Sequence, residues 1–496
     1  MKNRRITADY RRKTIKDLEV SPEAADLREG TGISNLDGRL WEEMGSSVGR
    51  YFGDEAMVRA RVAVESYYLI ALSEAGVIRR LKSEEKSALK NLHKKITPKV
   101  YRDLRKIEAE ARHDVIAMTK IMKKLISASS PLGGVVSEGW VHWGLASEDV
   151  DNLARTSLLI NYLNDVYLPE AAKILQAIIT LAEKTRNVVI PGKTHLQPAL
   201  PTVLGKEVAL FGLRLSEQFL EIKKLRLRGK LTGAVGTLAA QRFAFPEINW
   251  LRFSKNFVES LGLEANPYTT QIEPRARLVE LLSKVALVNN ILVDLSQDMR
   301  IYIGLDWLIQ EVKKEEFGSS AMPQKVNPID FENAQGNALL SNWLIDGLTR
   351  VLPVSWLQRD LVDKTILRNL GLPFGYSQIS LISSAKGLLR VGPNPGQIDS
   401  ALESDWSIIA EGLQSYLRSR GRPEAYETLK ALTRGKKLTQ SDIKTWIEKL
   451  NVEEPIKKDL RRISPKNYLG YSKENFVKMI REIKRTIDSL KIPLVR

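Results

Sequence analysis

Residues 276–300 read ARLVELLSKVALVNNILVDLSQDMR and carry the clearest structural pattern in the chain. Apolar side chains recur there every three or four residues, so they form one stripe along a helix. The stripe comprises Leu278, Leu281, Leu282, Val285, Val288, Leu292, Leu295 and Met299. The segment is longer than the roughly 8–20 residues of a usual globular helix. We therefore expect a long helix that buries this stripe against its neighbours.

Two further segments, 151–186 and 203–228, repeat this helical spacing over similar lengths. Alternating, strand-like runs are scarce, and no internal repeat is evident. Several long amphipathic helices in succession predict an all-α fold built around a long helical bundle. Changes in composition near residues 131–134 and 392–397 divide the chain. The predicted domains are an N-terminal helical domain (1–135, with a basic extension at 1–45), a central bundle (136–388, with a polar loop at 315–337) and a C-terminal helical domain (389–496).

The overall composition is that of an ordinary globular protein. Of 496 residues, 43% are hydrophobic and 27% are charged, so a large core can be buried. The chain contains no run of about 18 apolar residues, so no membrane-spanning helix is predicted. The basic N-terminus, MKNRRITADYRRK, has no apolar stretch behind it and is therefore not a secretory signal. Because the chain has no cysteine, disulfides and thiolate metal sites are excluded. We expect a cytoplasmic protein.

The formal net charge of +17 has two interpretations. One is nucleic-acid binding, and the other is a generally basic surface whose field attracts anionic ligands. Lysine and arginine are spread along the chain, and no zinc-finger spacing or RNA-binding motif is present. This distribution favours the basic surface, with RNA binding as the alternative.

Three polar strings interrupt the helical pattern as predicted loops: residues 191–202, 266–274 and 315–337. The last reads EEFGSSAMPQKVNPIDFENAQGN. In it, Lys325 supplies a cation, and Asn327-Pro328 predicts a helix with a capping asparagine and a proline at its first position. A helix N-terminus carries a partial positive charge, so this loop would suit a carboxylate-bearing substrate. The alternative is an ordinary Ser/Pro loop before a capped helix.

The chain has four histidines, and their surroundings differ. His93 lies among lysines and is predicted to be a surface residue. His113, His142 and His195 each stand beside Asp, Ser, Thr or Gln near a loop, which suits a general acid that works near neutral pH. A three-histidine metal site is the weaker interpretation, because no pair has the H-x-x-x-H spacing of a helical metal site.

Several of these strings resemble motifs of the fumarase/aspartase superfamily. GSSAMPQKVNP resembles its signature loop, THLQPALP its T-H-x-Q-x-A segment and ASEDVDN its T-S-x-D segment. Within the superfamily, the chain is most similar to the bacterial-type adenylosuccinate lyase family. MPQKVNPIDFENAQGN, NPYTTQIEP, RDLVDKTILRNLGLPFGY and YETLKALTRGKK carry this similarity. The resemblance covers residues 49–471 and leaves out about the first 45.

The resemblance implies an all-α, three-domain fold and a homotetramer whose central helices form a shared bundle, with active sites built from three subunits. It implies a carbon–nitrogen lyase of purine biosynthesis. Such an enzyme splits adenylosuccinate into AMP and fumarate, and the succinylated carboxamide ribotide SAICAR into AICAR and fumarate. No metal or organic cofactor is implied.

The resemblance also assigns catalytic roles. Ser319 corresponds to the base that removes the carbon-bound proton. Lys325 and Asn327 correspond to groups that stabilise the resulting aci-carboxylate. His195 corresponds to the acid that protonates the departing nitrogen, and Glu332 to the carboxylate that pairs with this histidine.

Further positions correspond to substrate contacts. Arg50, Tyr51, Arg359 and Arg368 correspond to contacts at the nucleotide phosphate and ribose, and guanidinium groups suit phosphate oxygens. The complete set of predicted substrate-binding residues is Arg50, Tyr51, Arg112, His113, Asp114, His142, Ser147, Gln271, Asn327, Asn333, Arg359, Lys364 and Arg368.

The chain departs from the family pattern at three positions. Ala146 replaces a hydroxyl residue, Lys364 places a cation where serine is usual near the expected phosphate, and Gln324 replaces a histidine. Gln324 fits argininosuccinate lyase, which is the nearest alternative, although its substrate needs no phosphate-binding arginines. A catalytically silent or RNA-binding family member is the non-enzyme alternative.

Overall fold

The computed structural model describes residues 45–129, 132, 138–312, 318 and 321–494. The prediction of an all-α fold is confirmed, because helices dominate this part of the chain. The α-helices are α1 (Ser46–Phe52), α2 (Asp54–Glu74), α3 (Ser83–Lys90), α4 (Pro98–Ala111), α5 (Asp114–Ser127), α6 (Ser147–Tyr162), α7 (Leu168–Lys184), α8 (Leu204–Lys224), α9 (Ala239–Ala244), α10 (Trp250–Ser260), α11 (Ala276–Gly304), α12 (Ile329–Val351), α13 (Val362–Leu367), α14 (Gly371–Leu389), α15 (Pro395–Glu403), α16 (Ala410–Ser419), α17 (Ala425–Thr433), α18 (Gln440–Lys449), α19 (Glu454–Leu460) and α20 (Ser472–Leu490).

The longest helices form a central bundle. Helix α12 packs against α11 and α14, and α8 packs against α7, α11 and α20. Helix α11 begins at the predicted Ala276 and continues to Gly304, four residues beyond the predicted end. Its predicted stripe, including Leu281, Val285 and Met299, is buried in the core, except for the partly buried Leu278. The bundle therefore rests on the helical periodicity that the sequence displays.

The segment predicted as one helix, 151–186, is a run of three helical elements. It starts with α6 at Ser147 and passes through a π-helical segment, Leu163–Tyr167, into α7. Tyr162 and Tyr167 are fully buried there and bond to α14. The Tyr162 hydroxyl donates to Gln378 Oε1 at 3.1 Å, and the Tyr167 hydroxyl lies 3.0 Å from Ser377 Oγ. A π-helical turn inside an α-helix changes the direction of the side chains that follow it, and here both tyrosines face α14.

Strands occur as short pairs in the described residues. They are β1 (Val189–Thr194), β2 (Gln197–Val203), β3 (Arg228–Gly229), β4 (Glu264–Ala265), β5 (Leu308–Gln310) and β6 (Val391–Pro393). Strands β1 and β2 form an antiparallel hairpin, whereas the sequence predicted a loop over 191–202. His195 and Leu196 form its two-residue turn, with φ of 52° and 60°. Two positive φ values are typical of a type I′ turn, whose twist matches the flanking strands.

Two local predictions were wrong. His93 is buried at 2% exposure, because the short 3₁₀ turn Leu92–Lys95 directs this ring inward between its lysine neighbours. Asn327 does not cap α12. That helix begins at Ile329 with Pro328 as its cap residue, and no side chain caps it.

None of the described helices combines the length and the apolarity that crossing a membrane requires. The domain limits proposed above remain predictions, and the composition change at Pro131 falls outside the described residues.

A fully buried ion pair joins the start of α6 to residues 230–233. Lys230 Nζ lies 2.8 Å from Asp149 Oδ1, and both side chains have 0% exposure. The same carboxylate accepts backbone N–H groups of Thr232, Gly233 and Ala146 at 3.0, 3.2 and 2.8 Å. This many donors offset the cost of burying the charge and fix the two segments together.

We expect Lys230→Met to lower the free energy of unfolding by about 3–5 kcal/mol, because Asp149 would remain as an unpaired buried charge. Urea denaturation followed by circular dichroism measures the change. The double variant Lys230→Met/Asp149→Asn should recover part of the loss. Lys173→Met, which breaks an exposed pair with Glu170, is the control and should change little. A Lys230→Met midpoint equal to that of the control would contradict the prediction.

Candidate active site

A cleft of about 360 Å³ collects four of the predicted substrate-binding side chains. His113, His142, Ser147 and Gln271 line it, together with Ala146, one of the departures from the family pattern. They come from the start of α5, the segment before α6, the first residue of α6 and the loop before α11. We call this space the histidine cleft. Motifs far apart in the sequence therefore meet in one place.

A second cleft of about 440 Å³ adjoins the first. Arg112, His113, Asp114, Lys364 and Arg368 line it, all of them predicted site residues. We call this space the cationic cleft. Since His113 lines both clefts, they form one continuous region, with two histidines at one end and several cations at the other.

The turn between α4 and α5 sets the position of His113. Arg112 ends α4 in the left-handed region, with φ of 50°, and so reverses the chain. His113 then caps α5, and its Nδ1 accepts the backbone N–H of Ile116 at 3.3 Å. Because Nδ1 is the acceptor, a neutral His113 carries its proton on Nε2.

His142 is held by a buried carboxylate from α2. Its Nδ1 lies 2.5 Å from Glu65 Oε1, and its backbone N–H donates to Glu65 Oε2 at 3.1 Å. Glu65 itself is fully buried. Burial lowers the pKa of His142, but the hydrogen bond and charge of Glu65, together with the charges of Asp149 and Asp151, outweigh burial, and the net effect is a raised pKa. The sequence analysis did not identify Glu65, an acid within the apolar stretch of α2.

Buried ion pairs join the start of α6 to the residue before α11 and to the segment that leads into α13. Glu148 on α6 lies 2.9 Å from Arg275 Nη2 and 3.1 Å from Arg359 Nη1. Asp363 on α13 also pairs with Arg275. Arg359, a predicted phosphate ligand, is therefore already bonded to a carboxylate in this structure.

Four charged side chains form a closed ion ring beside the cationic cleft. Arg61 lies 2.6 Å from Asp151 and 2.9 Å from Asp114. Lys364 lies 2.7 Å from Asp114 and 3.6 Å from Asp151. Burial raises the pKa of Asp114, but Arg61 and Lys364 lower it further, to well below its usual range. The charge of Lys364 is thus largely balanced by two carboxylates.

Arg50 and Tyr51 lie on α1, away from the histidine cleft. The Tyr51 hydroxyl donates to Asp165 Oδ2 at 2.9 Å, and the Arg50 guanidinium lies 5.6 Å from the centre of the Tyr51 ring. Burial and Asp165 raise the pKa of Tyr51 well above its usual value. Tyr51 is consequently a hydrogen-bonding group that stays protonated.

The predicted base, Ser319, lies outside the described residues. Among the described residues nearby in sequence, Asn327 Nδ2 donates to the carbonyl of Gly318 at 2.6 Å instead of capping α12. A Cβ at Gly318 would lie 1.7 Å from the Lys325 carbonyl oxygen, so no larger residue fits this approach. Lys325 is exposed.

The remaining predicted residues lie apart from the two clefts. His195 is exposed at the tip of the β1–β2 hairpin. Glu332 on α12 lies 3.3 Å from Arg300 Nη2, and Asn333 Nδ2 donates to Ser383 Oγ at 2.9 Å. Within the described part of one chain, no hydrogen bond or ion pair joins His195 to Glu332. One chain thus assembles the two clefts but does not bring the predicted acid to them.

The sequence analysis missed the charged residues that support the clefts: Arg61, Glu65, Asp151, Arg155 and Arg275. Their signal was present, because Arg61 and Glu65 interrupt an apolar run in α2 and would be buried by its helical periodicity. No group of three or more His, Asp or Glu side chains suited to a metal ion occurs in the ranges that the structure describes.

Comparison with known proteins identifies the family. Residues 40–339 match the family model described as lyase, and residues 355–469 match the model described as adenylosuccinate lyase C-terminal. Adenylosuccinate lyase of Escherichia coli (strain K12) is 36% identical over 462 residues, covering 92% of this chain and 100% of that protein. Adenylosuccinate lyase of Dictyostelium discoideum is 36% identical over 455 residues, covering 90% and 97%.

Solved structures share the fold at lower identity. A fumarate lyase from Mesorhizobium sp. BNC1 has a TM-score of 0.70 at 18% identity, covering 88% of this chain and 97% of that chain. The 3-carboxy-cis,cis-muconate lactonizing enzyme from Pseudomonas putida has a TM-score of 0.68 at 20% identity, covering 88% and 95%. The matched lyase model and this fold define a lyase of the fumarase/aspartase superfamily. The chain belongs to the adenylosuccinate lyase family, which confirms the resemblance found in the sequence.

We expect Glu65→Gln to lower the pKa of His142, because burial then acts without the hydrogen bond and charge of Glu65 and is opposed only by Asp149 and Asp151. In the wild type the pKa is raised, so the stabilisation from this pair is present below pH 6.5 and is lost as pH rises through the folded pKa.

NMR titration of protein labelled with ¹³C at histidine Cε1 measures this pKa. Only four histidine signals need assignment, and the His142→Gln variant identifies the relevant one. A His142 signal that titrates identically in wild type and Glu65→Gln would contradict the prediction.

Proposed function

We propose that the protein eliminates fumarate from adenylosuccinate to give AMP, and from SAICAR to give AICAR. The family relation supports this proposal, because the curated relatives are adenylosuccinate lyases. The observation that carries it is the continuous region formed by the histidine cleft and the cationic cleft. Such a region suits a long substrate with a phosphate at one end and carboxylates at the other.

The chemistry follows from the two ends of that substrate. A base removes the proton on the carbon next to the C–N bond, and the electron pair is held by the adjacent carboxylate. The C–N bond then breaks to form the double bond of fumarate, and an acid protonates the departing nitrogen. We assign Ser319 as the base and His195 as the acid, while Lys325 and Asn327 stabilise the charged carboxylate. Glu332 would pair with His195.

The proposed acid reaches the clefts only if another subunit supplies it. His195 sits on an exposed hairpin tip, apart from the clefts of its own chain. Apolar side chains on α11 and α12 are also exposed in the single chain: Leu287, Ile301, Leu339, Leu340 and Trp343. Exposed apolar faces on long helices favour packing against further copies. We therefore propose a homotetramer with active sites shared among subunits.

Purified protein should convert adenylosuccinate into AMP and fumarate, followed as an absorbance change. Ser319→Ala and His195→Ala should each lower kcat by at least about 100-fold, since proton transfer by a positioned group contributes roughly 10²–10⁴-fold. Ser320→Ala, which alters the neighbouring serine, is the matched control and should keep most activity. Turnover of argininosuccinate in place of adenylosuccinate would assign the protein to the sister activity.

Mixing two inactive variants tests the shared site. If His195 and His113 of one site come from different subunits, hybrids of His195→Ala and His113→Ala chains contain some intact sites. A random equal mixture should regain about a quarter of the wild-type activity. Each variant mixed with itself is the control. If mixing restored nothing although mass spectrometry showed hybrid tetramers, both residues would belong to one chain and the proposal would fail.

A further inference from the structure

An inner cavity of about 220 Å³ lies behind the cationic cleft. The two spaces share Asp114, Lys364 and Arg368 as lining residues, so the cavity is an inward continuation of the cleft. Tyr51 also lines the cavity. Five cations line it beside the acids Asp54, Glu108 and Asp114. The cations are Arg61, Arg105, Arg155, Lys364 and Arg368.

Most of these cations already have carboxylate partners. Arg61 and Lys364 belong to the ion ring, whose two carboxylates balance their charges. Arg105 lies 2.9 Å from Glu108 on the same helix. Arg155 and Arg368 differ, because the described residues provide neither guanidinium with a hydrogen bond or an ion pair. Two guanidinium groups without a direct carboxylate contact therefore line this cavity.

Arg155 has the more confined position of the two. It lies on α6, partly buried, and lines both the inner cavity and a smaller space of about 30 Å³ beside Glu148 and Arg275. Burial lowers the pKa of Arg155, against the opposing effect of Glu148 and Asp151. A guanidinium nevertheless keeps its proton in proteins. Its charge therefore needs either water or an anion in the cavity.

We propose that Arg155 is a specificity-determining residue that binds the phosphate of the substrate together with Arg368. The inference rests on the proposed function, because it takes the nucleotide phosphate as the anion. A phosphate monoester carries about −1.5 to −2 charges near pH 7, which balances two guanidinium groups. Each guanidinium presents a planar pair of N–H donors that fits two phosphate oxygens.

The ion ring gives this assignment its selectivity. Because Asp114 and Asp151 neutralise Lys364, the lysine at the position of the usual serine contributes little net charge to the cavity. The phosphate would then depend on the two unpaired arginines for its charge balance. The ring has no net charge. Its pairing of Lys364 with Asp151 holds α13, and with it Arg368, against α6 and Arg155.

Calorimetric binding of AMP and of adenosine compares the same ligand with and without its phosphate. We expect Arg155→Gln to weaken AMP binding about 10- to 100-fold, as for loss of a charged hydrogen-bond donor, and to leave adenosine binding unchanged. Arg155→Lys keeps the charge but loses the planar fork, so its loss of AMP affinity should be smaller. If Arg155→Gln folds poorly, Arg155→Lys replaces it in the measurement, since Glu148 and Asp151 then keep a cation beside them.

Arg252→Gln is the matched control, because it removes one exposed positive charge on α10, outside both clefts. It should leave the AMP-to-adenosine affinity ratio at its wild-type value. An unchanged ratio in Arg155→Gln, or an equal loss for both ligands, would overturn the inference. Failure of the proposed function would look different: the wild type would not turn over adenylosuccinate, whatever the affinity ratio of the variants.

Discussion

Burial of three carboxylates in the first two turns of α6 is the constraint on which the rest of the site depends. A buried carboxylate is costly unless a cation and hydrogen bonds accompany it. Each of the three meets a cation from a distant part of the chain. Glu148 pairs with Arg275, Asp149 with Lys230, and Asp151 with Arg61 and Lys364. Helix α6 therefore holds together the distant segments that surround the two clefts.

The sequence predicted the helical bundle well because long amphipathic helices carry their own pattern. The stripe along α11 predicted both its start and its buried face. Where the burial of side chains does not alternate along a strand, the sequence shows no strand pattern. The β1–β2 hairpin is mostly exposed towards its tip, so its strands show no inward and outward periodicity. His93 was misplaced because its lysine neighbours dominate the local composition, although a single 3₁₀ turn points the ring inward.

The site was predictable in part. Motifs supplied His113, His142, Ser147 and Gln271, and the structure gathers these four in one cleft. Partners that lie far away in the sequence were not predictable from one chain. The pairing of Lys364 with Asp114 spans 250 residues, and no local pattern indicates it. Such a pairing depends on tertiary packing, which periodicity and motif spacing do not encode.

The same long-range pairing has a consequence for how the chain folds during synthesis. Arg275, the partner of Glu148, is synthesised 127 residues after it, and Lys364 follows its partner Asp114 after a still longer stretch of chain. Non-local contacts of this kind form slowly, because the chain must first lose the entropy of closing a long loop before the contact can stabilise it. Glu148 thus lacks Arg275, and Asp114 lacks Lys364, until more than half of the polypeptide has been synthesised. An incomplete chain can form individual helices, yet its ion ring cannot close until Lys364, in the last third of the chain, is made.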